Sequence, residues 1–425
     1  MSDRNHGVGL TRREMMRAPA AAAAFSVPRF WGLNSQTKLK VALIGAGGRG
    51  RGALENHMEA AKVIREKTGL ALEIQVVSVA DINQGGAVEC GKKYGVPASQ
   101  CFGGFDGYKK ALACNPDIVL TAAPPVFRPV HFEAAIKAGK HVFFEKPVAV
   151  DPPGVRRVIA AGEEARKKRL TVVAGTQRRH SRGYNERAAA IREGLFGRIM
   201  GGRVAWNMGK IFSNTPINPR RPEDLAGGGR WQLWVEMSGD HIVEQHVHNI
   251  DIANWFLNAH PVSAGGFGFR ARRVAGNMYD FFSVDFEYPG GIHIHSMCRQ
   301  IGGCWDWVGE EFTYEKGGGR PSKIPYEDMP RTGNDYVDEH IHLLLSIVKS
   351  KEEPINEAQN VAWATGAAIL GRESAYSGQR ISWADMFEKE GSPWYNLRLK
   401  PQPEDFEKGQ IEYPEEGKPR IPGKA

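Results

Sequence analysis

Cysteine is scarce in this sequence of 425 residues, and no two cysteines form a Cys-x-x-Cys pair. The five cysteines are also an odd number, so neither a zinc knuckle nor a complete disulfide framework is predicted. Long apolar runs are missing as well. The mean hydropathy is −0.40, and no run approaches the roughly 20 apolar residues that a membrane-spanning helix needs. These absences exclude an integral membrane protein.

Charge of one sign is only slightly in excess. Lys and Arg outnumber Asp and Glu by 56 to 48, a net charge of +8, and the basic residues are scattered along the chain. A nucleic-acid-binding surface would concentrate them, so the sequence favours a basic soluble enzyme without a nucleic-acid partner. With 41% hydrophobic residues the chain can form a packed core, and at about 150 residues per domain its length predicts two or three domains.

The first 37 residues have the composition of a targeting signal rather than of a folded domain. Arg12 and Arg13 precede a weakly apolar, alanine-rich stretch from Ala18 to Phe25, an order that resembles a twin-arginine export signal. A short basic helix on a cytoplasmic protein is the alternative. We expect residues 1–37 to be a signal peptide and linker, and the protein to be exported to the periplasm.

Strand-like and helix-like stretches divide the rest of the chain into two domains. Short apolar runs alternate with helical stretches over residues 38–175, which predicts an N-terminal Rossmann domain with a doubly wound parallel sheet. Over residues 176–380 the runs lengthen and alternate in polarity, which predicts a C-terminal α+β domain with a large, mostly antiparallel sheet. Its late helices are expected to pack back on the Rossmann domain. Residues 381–425 are predicted to form an extended tail, and the fold class is α/β.

A glycine-rich turn follows the first predicted strand. It has the form Gly-x-Gly-x-x-Gly and consists of Gly45, Ala46, Gly47, Gly48, Arg49 and Gly50. In a dinucleotide-binding turn the first glycine permits the tight turn, the second lets the backbone reach a pyrophosphate, and the third lets helix and strand pack closely. A purely structural glycine turn is the alternative. The position after a buried strand favours cofactor binding.

Asp81 stands at the end of the second predicted strand. A carboxylate there accepts hydrogen bonds from the adenosine ribose hydroxyls and repels a 2′-phosphate, so NAD is predicted rather than NADP. Asp81 lies further from the glycine turn than is usual, because the first helix and its loop are long. The alternative is that Asp81 only caps the following helix.

Three motifs together resemble those of the Gfo/Idh/MocA oxidoreductase superfamily, over about residues 38 to 380. They are Glu145-Lys146-Pro147 at the end of the fifth strand, residues 175–179, and the stretch from Glu244 to Pro261. The resemblance implies that Lys146 lies between nicotinamide and substrate, that Glu145 and Pro147 border the cofactor, and that a cis peptide bond precedes Pro147. Independently, a lysine at the carboxyl end of a parallel strand faces the cleft where such folds bind ligands. A surface lysine is the alternative.

The second-domain motif contains Glu244, His246, His248 and Asp251. His248 and Asp251 match the family pattern, whereas Glu244 replaces an aspartate and His246 a glycine. The resemblance implies that His248 is the catalytic partner of Lys146 and that Glu244 binds substrate. On one continuous helix Glu244 and His248 would share a face, a spacing that suits a carboxylate orienting an imidazole.

Further polar residues are candidates for the substrate cleft. The candidates that bind a sugar are Arg178, Arg179, Tyr184, Asn207 and His241. No metal is predicted. His241, His246 and Glu244 are the weaker alternative, a divalent metal site, because imidazole and carboxylate suit zinc or manganese.

These features predict an oxidoreductase that uses NAD(P), preferably a tightly held NAD, to oxidise a secondary hydroxyl of a sugar or glycoside. One alternative is a redox-assisted glycosidase or lyase that forms a transient keto sugar and returns the hydride within the same turnover. Another is a dinucleotide-binding protein without enzymatic activity. A homo-oligomer is expected.

Overall fold

The computed structural model describes residues 37–209, 214–319, 330–349 and 352–423. The twin-arginine motif and the alanine-rich stretch that follows it lie outside the described residues. Among the helices in these ranges, none is long and apolar enough to cross a membrane.

The first domain is built on a parallel six-stranded sheet with the strand order β3-β2-β1-β4-β5-β6. The strands are β1 Thr37–Ile44, β2 Leu72–Ala80, β3 Cys101–Phe102, β4 Ile118–Thr121, β5 His141–Phe144 and β6 Val172–Ala174. The helices between them are α1 Gly48–Thr68, α2 Gln84–Lys93, α3 Gly107–Ala113, α4 Arg128–Lys137 and α5 Pro152–Lys167. The central strands are apolar and buried along almost their whole length because helices cover both faces of the sheet. The predicted Rossmann fold is confirmed.

The second domain carries a mixed six-stranded sheet with the order β11-β7-β10-β9-β8-β12. Its strands are β7 Ile199–Met208, β8 Ser263–Phe269, β9 Phe281–Tyr288, β10 Ile292–Gln300, β11 Trp307–Tyr314 and β12 Ile381–Ser382. Only β7 and β10 pair in parallel among these neighbours, so the predicted, mostly antiparallel sheet is confirmed. Buried and exposed side chains alternate along β9, as expected for a sheet with one covered face.

Helices of the second part of the chain join the two domains. They are α6 Arg182–Arg192, α7 Pro222–Ala226, α8 Val235–Ser238, α9 His241–Glu244, α10 Val247–Leu257, α11 Asp335–Val348, α12 Ala358–Ser377, α13 Trp383–Phe387 and α14 Pro403–Lys408. The almost fully buried α12 packs against α5 of the first domain and against β8 of the second, and α11 packs against α1. The two domains therefore share one continuous core.

The C-terminal tail crosses both domains. Phe406 in α14 packs against the rings of Phe105 and Phe127 in the first domain. Further on, Arg420 donates to Glu373 of α12 over 3.0 Å. The tail thus lies across the boundary between the two domains.

Buried histidines make the fold sensitive to acid. His57 of α1 and His340 of α11 are fully buried with their Nδ1 atoms 3.3 Å apart. Burial lowers the pKa of His57 to about 3, and the pKa values of His131 and His246 are also about 3. Each of these three imidazoles is therefore neutral in the folded protein over most of the acid range.

The free energy of unfolding is expected to fall as the pH drops from about 6.5 towards 3. In that window the unfolded chain protonates these histidines and the folded chain does not, so each contributes a loss of about 1.4 kcal/mol per pH unit. Urea unfolding measured between pH 7.5 and 4.5 checks this. His57→Gln should flatten the slope, whereas the exposed His295→Gln should leave it unchanged. An equal slope in wild type and His57→Gln would contradict the expectation.

Candidate functional site

The glycine turn joins β1 to α1 in the geometry of a dinucleotide-binding loop. Gly45 has a φ of +90°, and a Cβ there would lie 2.6 Å from the backbone nitrogen of Ala123. A Cβ on Gly50 would lie 1.8 Å from the carbonyl oxygen of Gly45. Gly47 and Gly48 instead have nothing within 4 Å of a Cβ position. The outer two glycines are thus required by the fold, and the middle two leave the backbone at the amino end of α1 open to an anion.

Asp81 directly follows β2 and faces the glycine turn. Its carboxylate accepts hydrogen bonds from the backbone nitrogens of Ala46, over 2.7 Å, and Asn83, over 2.9 Å. The cap of α2 is Asn83, whose side chain accepts from the backbone nitrogen of Gly86. Asp81 is therefore not the helix cap, and its carboxylate stands at the strand end where a ribose is bound in such folds.

A cavity of about 560 Å³ extends from this turn. Its floor is formed by the ends of β1 and β2 and by the segment 122–124, and one wall carries Phe105 and Phe127. Its roof comes from the second domain, where Glu223 and residues 226–231 reach over the turn. This roof was not predicted from the sequence, although the run Gly227-Gly228-Gly229 indicates that the backbone approaches another group closely there. An open amino end of a helix, a strand-end carboxylate and a cavity lined by both domains fit a dinucleotide.

Lys146 follows β5 and is held by the second domain. Its ammonium donates to the carbonyl oxygen of Glu244 over 2.6 Å and to the carboxylate of the same residue over 3.2 Å. The carbonyl of Glu244 is not used within a helix, because the helix is interrupted between α9 and α10 and the backbone nitrogen of His248 donates to the carbonyl of Gln245 instead. The peptide bond between Lys146 and Pro147 is cis. Glu244 therefore contacts Lys146, and the expected single helix that places it beside His248 is interrupted.

His248, near the start of α10, is the second candidate reactive group, after Lys146. Its ring stacks on Trp206 with centroids 5.8 Å apart, and no side-chain hydrogen bond to it is found among the described residues. Burial, followed by the positive charges of Lys146 and Arg178, holds the pKa of His248 well below its usual range. The imidazole is therefore neutral near pH 7 and can accept a proton. Lys146 therefore lies near enough to His248 for its charge to act on the ring, and we call these two residues the reactive cluster.

Arg49 of the glycine turn and Glu145 of the lysine motif form an ion pair. The Arg49 guanidinium also lies 3.3 Å from Glu339 of α11 and faces the ring of Tyr336. Burial raises the pKa of Glu339 well above its usual range, and the nearby carboxylate of Glu145 raises it further. Arg49 thus links the glycine turn to the end of β5 and offsets the charge of buried carboxylates.

Arg178 and Tyr184 converge on Glu310, a residue that the sequence analysis did not single out. Arg178 donates to its carboxylate over 2.5 Å and Tyr184 over 2.9 Å. The Arg178 guanidinium also lies 5.7 Å from the ring of Trp206, which stacks on His248. Both substrate candidates therefore border the reactive cluster. Glu310 reaches these two residues through the tertiary fold, and no local sequence motif indicates this position.

Two other substrate candidates are held elsewhere by their own contacts. Arg179 makes a two-pronged ion pair with the buried Asp251, both distances being 2.8 Å. His241 has no exposed surface, and its Nδ1 lies 3.1 Å from Asp240. Neither side chain is presented to the cleft.

Asn207 lies on the other side of the second sheet. It pairs with Arg299 of β10, whereas the neighbouring Trp206 pairs with Cys298. Successive residues of a strand point to opposite faces, and Trp206 faces the inner side with His248. Asn207 therefore faces the outer side, away from the reactive cluster.

The alternative metal site is not formed. His246 is fully buried and its Nε2 lies 2.7 Å from the hydroxyl of Ser296. His241 pairs with Asp240, and Glu244 with Lys146. Within the described ranges, no three His, Cys, Asp or Glu side chains are grouped so that they could hold a metal ion.

Comparison with known proteins agrees with this geometry. Residues 39–174 match the model of GFO_IDH_MocA, an oxidoreductase family with an NAD-binding Rossmann fold. The N-terminal domain is therefore an NAD-binding domain. Among curated proteins, the chain is similar to the inositol 2-dehydrogenases of Azotobacter vinelandii and Pseudomonas fluorescens, each 31% identical. These alignments cover 45% and 53% of this chain and 48% and 56% of the relatives. The chain thus spans about half the length of the curated relatives it matches.

Solved structures share the whole two-domain fold. The scyllo-inositol dehydrogenase of Lactobacillus casei, with NAD(H) and scyllo-inositol, has a TM-score of 0.61 at 17% identity. A levoglucosan dehydrogenase in complex with NADH and levoglucosan has a TM-score of 0.61 at 16% identity. Each comparison covers 81% of this chain and 99% of the other. At these identities the likeness shows the fold.

Proposed function

We propose that this chain, whose first domain is an NAD-binding Rossmann domain of the Gfo/Idh/MocA oxidoreductases, oxidises a secondary hydroxyl of a sugar or glycoside. The observation that carries the proposal is the Lys146 ammonium at the carboxyl end of β5, which the carbonyl and carboxylate of Glu244 hold near the buried His248. The names of the similar proteins, inositol 2-dehydrogenases, support a polyhydroxylated substrate.

Oxidation of a secondary alcohol removes a proton from the oxygen and a hydride from the carbon. NAD, when bound, supplies the hydride acceptor. On the protein side, His248 is neutral and takes the hydroxyl proton, and the Lys146 ammonium donates a hydrogen bond to the oxygen as negative charge develops there. Glu244 fixes the direction of the Lys146 side chain through two hydrogen bonds.

Arg178 and Tyr184 are proposed to bind the sugar. Both lie near an aromatic ring, since Arg178 is over Trp206 and the Tyr184 ring is tilted against that of Phe256, with centroids 6.5 Å apart. Sugars are held by polar side chains that bond hydroxyls next to aromatic faces that cover their C–H groups.

We also propose that the protein is exported and retains its NAD. The twin-arginine motif supports export, and free NAD is scarce outside the cytoplasm. The roof over the cofactor cavity supports retention, because residues 226–231 line the side of the cavity opposite the glycine turn and can contact a bound dinucleotide. The C-terminal tail contacts the segments next to this roof rather than the roof itself. Glu416 accepts hydrogen bonds from the backbone nitrogens of Ile217, over 3.3 Å, and Gly276, over 2.8 Å.

Glu416→Ala is expected to speed the release of NAD about tenfold, since it removes two hydrogen bonds that fix the segments next to the roof, each worth about 0.5–1.5 kcal/mol. Release is measured by chasing protein-bound NADH with excess NAD and following the NADH fluorescence. Glu415→Ala is the matched control, because Glu415 is exposed and its one ion pair within the described residues is with the nearby Lys418. Equal release rates in the two variants would show that these contacts of Glu416 do not slow the release of NAD.

The retained cofactor also favours the second candidate, a redox-assisted glycosidase in which the hydride returns to the sugar within one turnover. NAD-loaded protein is incubated with a panel of free sugars and glycosides, with absorbance at 340 nm and mass spectrometry as readouts. Keto sugar with net NADH supports the dehydrogenase. Released aglycone without net change in cofactor supports the glycosidase. Bound NAD with every sugar unchanged would favour a non-enzymatic dinucleotide-binding protein.

A further inference from the structure

A buried carboxylate on the inner face of β11 connects four elements of the second domain. Glu310 accepts hydrogen bonds from Arg178 over 2.5 Å, from Asn249 over 2.7 Å and from Tyr184 over 2.9 Å. Arg178 precedes α6, Tyr184 lies in its first turn, and Asn249 is the residue after His248 in α10. Glu310 thus bonds both proposed sugar ligands and the neighbour of the proposed base.

Only 7% of the Glu310 side chain is exposed, so its charge needs a partner within the protein. Arg178 is that partner and is itself 16% exposed. The pair is a charge-assisted hydrogen bond, which is shorter and stronger than a neutral one. Each group therefore restricts the conformation of the other.

Arg178 is largely buried, and most of its donors are not used by the hydrogen bond to Glu310. Within the described ranges its guanidinium makes one side-chain hydrogen bond, through Nη1 to Glu310. Its carbon Cζ lies 5.7 Å from the centre of the Trp206 ring, and Trp206 stacks on His248. The remaining N–H groups of this guanidinium are the donors available to a hydroxyl beside the imidazole.

We propose that Glu310 is a positioning residue, which locks the Arg178 guanidinium over Trp206 so that its remaining donors meet the sugar beside His248. The inference rests on the proposed sugar oxidation. It adds a residue that does not touch the reacting atoms and acts through Arg178. The proposal also gives the buried carboxylate a role. Without Glu310, the Arg178 side chain would be free to turn towards solvent, and the geometry that binds the sugar would be lost.

The first test compares Glu310→Gln with Glu311→Gln. Glu311 is the next residue of the same strand, faces the opposite side of the sheet and pairs with Arg203 at the surface, so it is a matched control. For Glu310→Gln we expect KM for the sugar to rise about 30-fold with kcat changed less than about threefold, because ground-state and transition-state binding through Arg178 are weakened alike. For Glu311→Gln both constants should stay within twofold. An unchanged KM in a folded Glu310→Gln protein would overturn the proposal.

The second test asks whether Glu310 acts through Arg178. kcat/KM is measured for Arg178→Ala, Glu310→Ala and the double variant, with NAD retention as the check on folding. If the proposal is right, the double variant is no worse than Arg178→Ala, because the positioned group is already absent. Losses that simply multiply would overturn it.

A third measurement does not depend on turnover. Should the wild type oxidise no sugar in the panel, the proposed function fails, but a crystal structure of Glu310→Gln still decides the positioning role. An Arg178 guanidinium that has left the Trp206 ring supports the role, and one that stays over the ring overturns it.

Discussion

Lys146→Ala is expected to lower kcat for sugar oxidation about 1,000-fold, an increase of about 4 kcal/mol in the activation barrier. The ammonium is held by Glu244 and lies in one cluster with His248. Its removal takes away both the hydrogen bond to the reacting oxygen and a positive charge where negative charge develops. Binding of NAD should persist, because the glycine turn and Asp81 are untouched. Single-turnover absorbance at 340 nm with NAD-loaded protein gives the rate directly.

Lys137→Ala serves as the control for this loss. Lys137 lies on the neighbouring α4, is exposed and pairs with Glu133 over 2.8 Å, so its removal should leave kcat within twofold. Lys146→Arg should not restore the rate, since a planar guanidinium cannot occupy the place of a compact ammonium between two oxygens of Glu244. If Lys146→Ala turned over sugar within tenfold of wild type, the lysine would have no part in the chemistry.

Gly50→Ala should destabilise the first domain by about 3 kcal/mol or more and abolish NAD binding. The new Cβ would stand 1.8 Å from the carbonyl oxygen of Gly45, and backbone atoms cannot yield as a flexible side chain can. To make room, α1 must shift away from β1, which opens the turn that receives the pyrophosphate. A fall of about 10 °C in Tm by calorimetry is expected, together with loss of NADH fluorescence enhancement.

Gly48→Ala separates this packing effect from the general effect of adding a methyl group to the motif. No atom lies within 4 Å of a Cβ at Gly48, and the residue begins α1, where alanine is a better helix former than glycine. The Tm without cofactor should therefore be equal to or above that of wild type. A similar fall in Tm for both variants would mean that the contact with Gly45 is not the cause.

The nucleotide-binding half of the site was predictable from the sequence. Gly45, Gly50 and Asp81 are marked by their positions in a repeating strand-turn-helix pattern, and the same pattern aligns the carboxyl ends of parallel strands at one edge. The same rule predicts the position of Lys146, because this residue follows the carboxyl end of β5. In each case the chemistry depends on a local backbone conformation, which nearby residues determine. Export and a homo-oligomer stay predictions.

Which residues form the proposed substrate half of the site depends on the tertiary structure. Glu244 and His248 are four residues apart, but the break between α9 and α10 turns Glu244 to Lys146, about one hundred residues earlier in the chain. Arg178 borders the cleft and the adjacent Arg179 does not, because Asp251 takes the second guanidinium. Glu310 carries no motif, and the glycine run of the roof indicates a close backbone approach without indicating which segment it approaches. Sequence patterns reveal periodicity and local turns, whereas the partner of a buried charge depends on which distant segment packs against it.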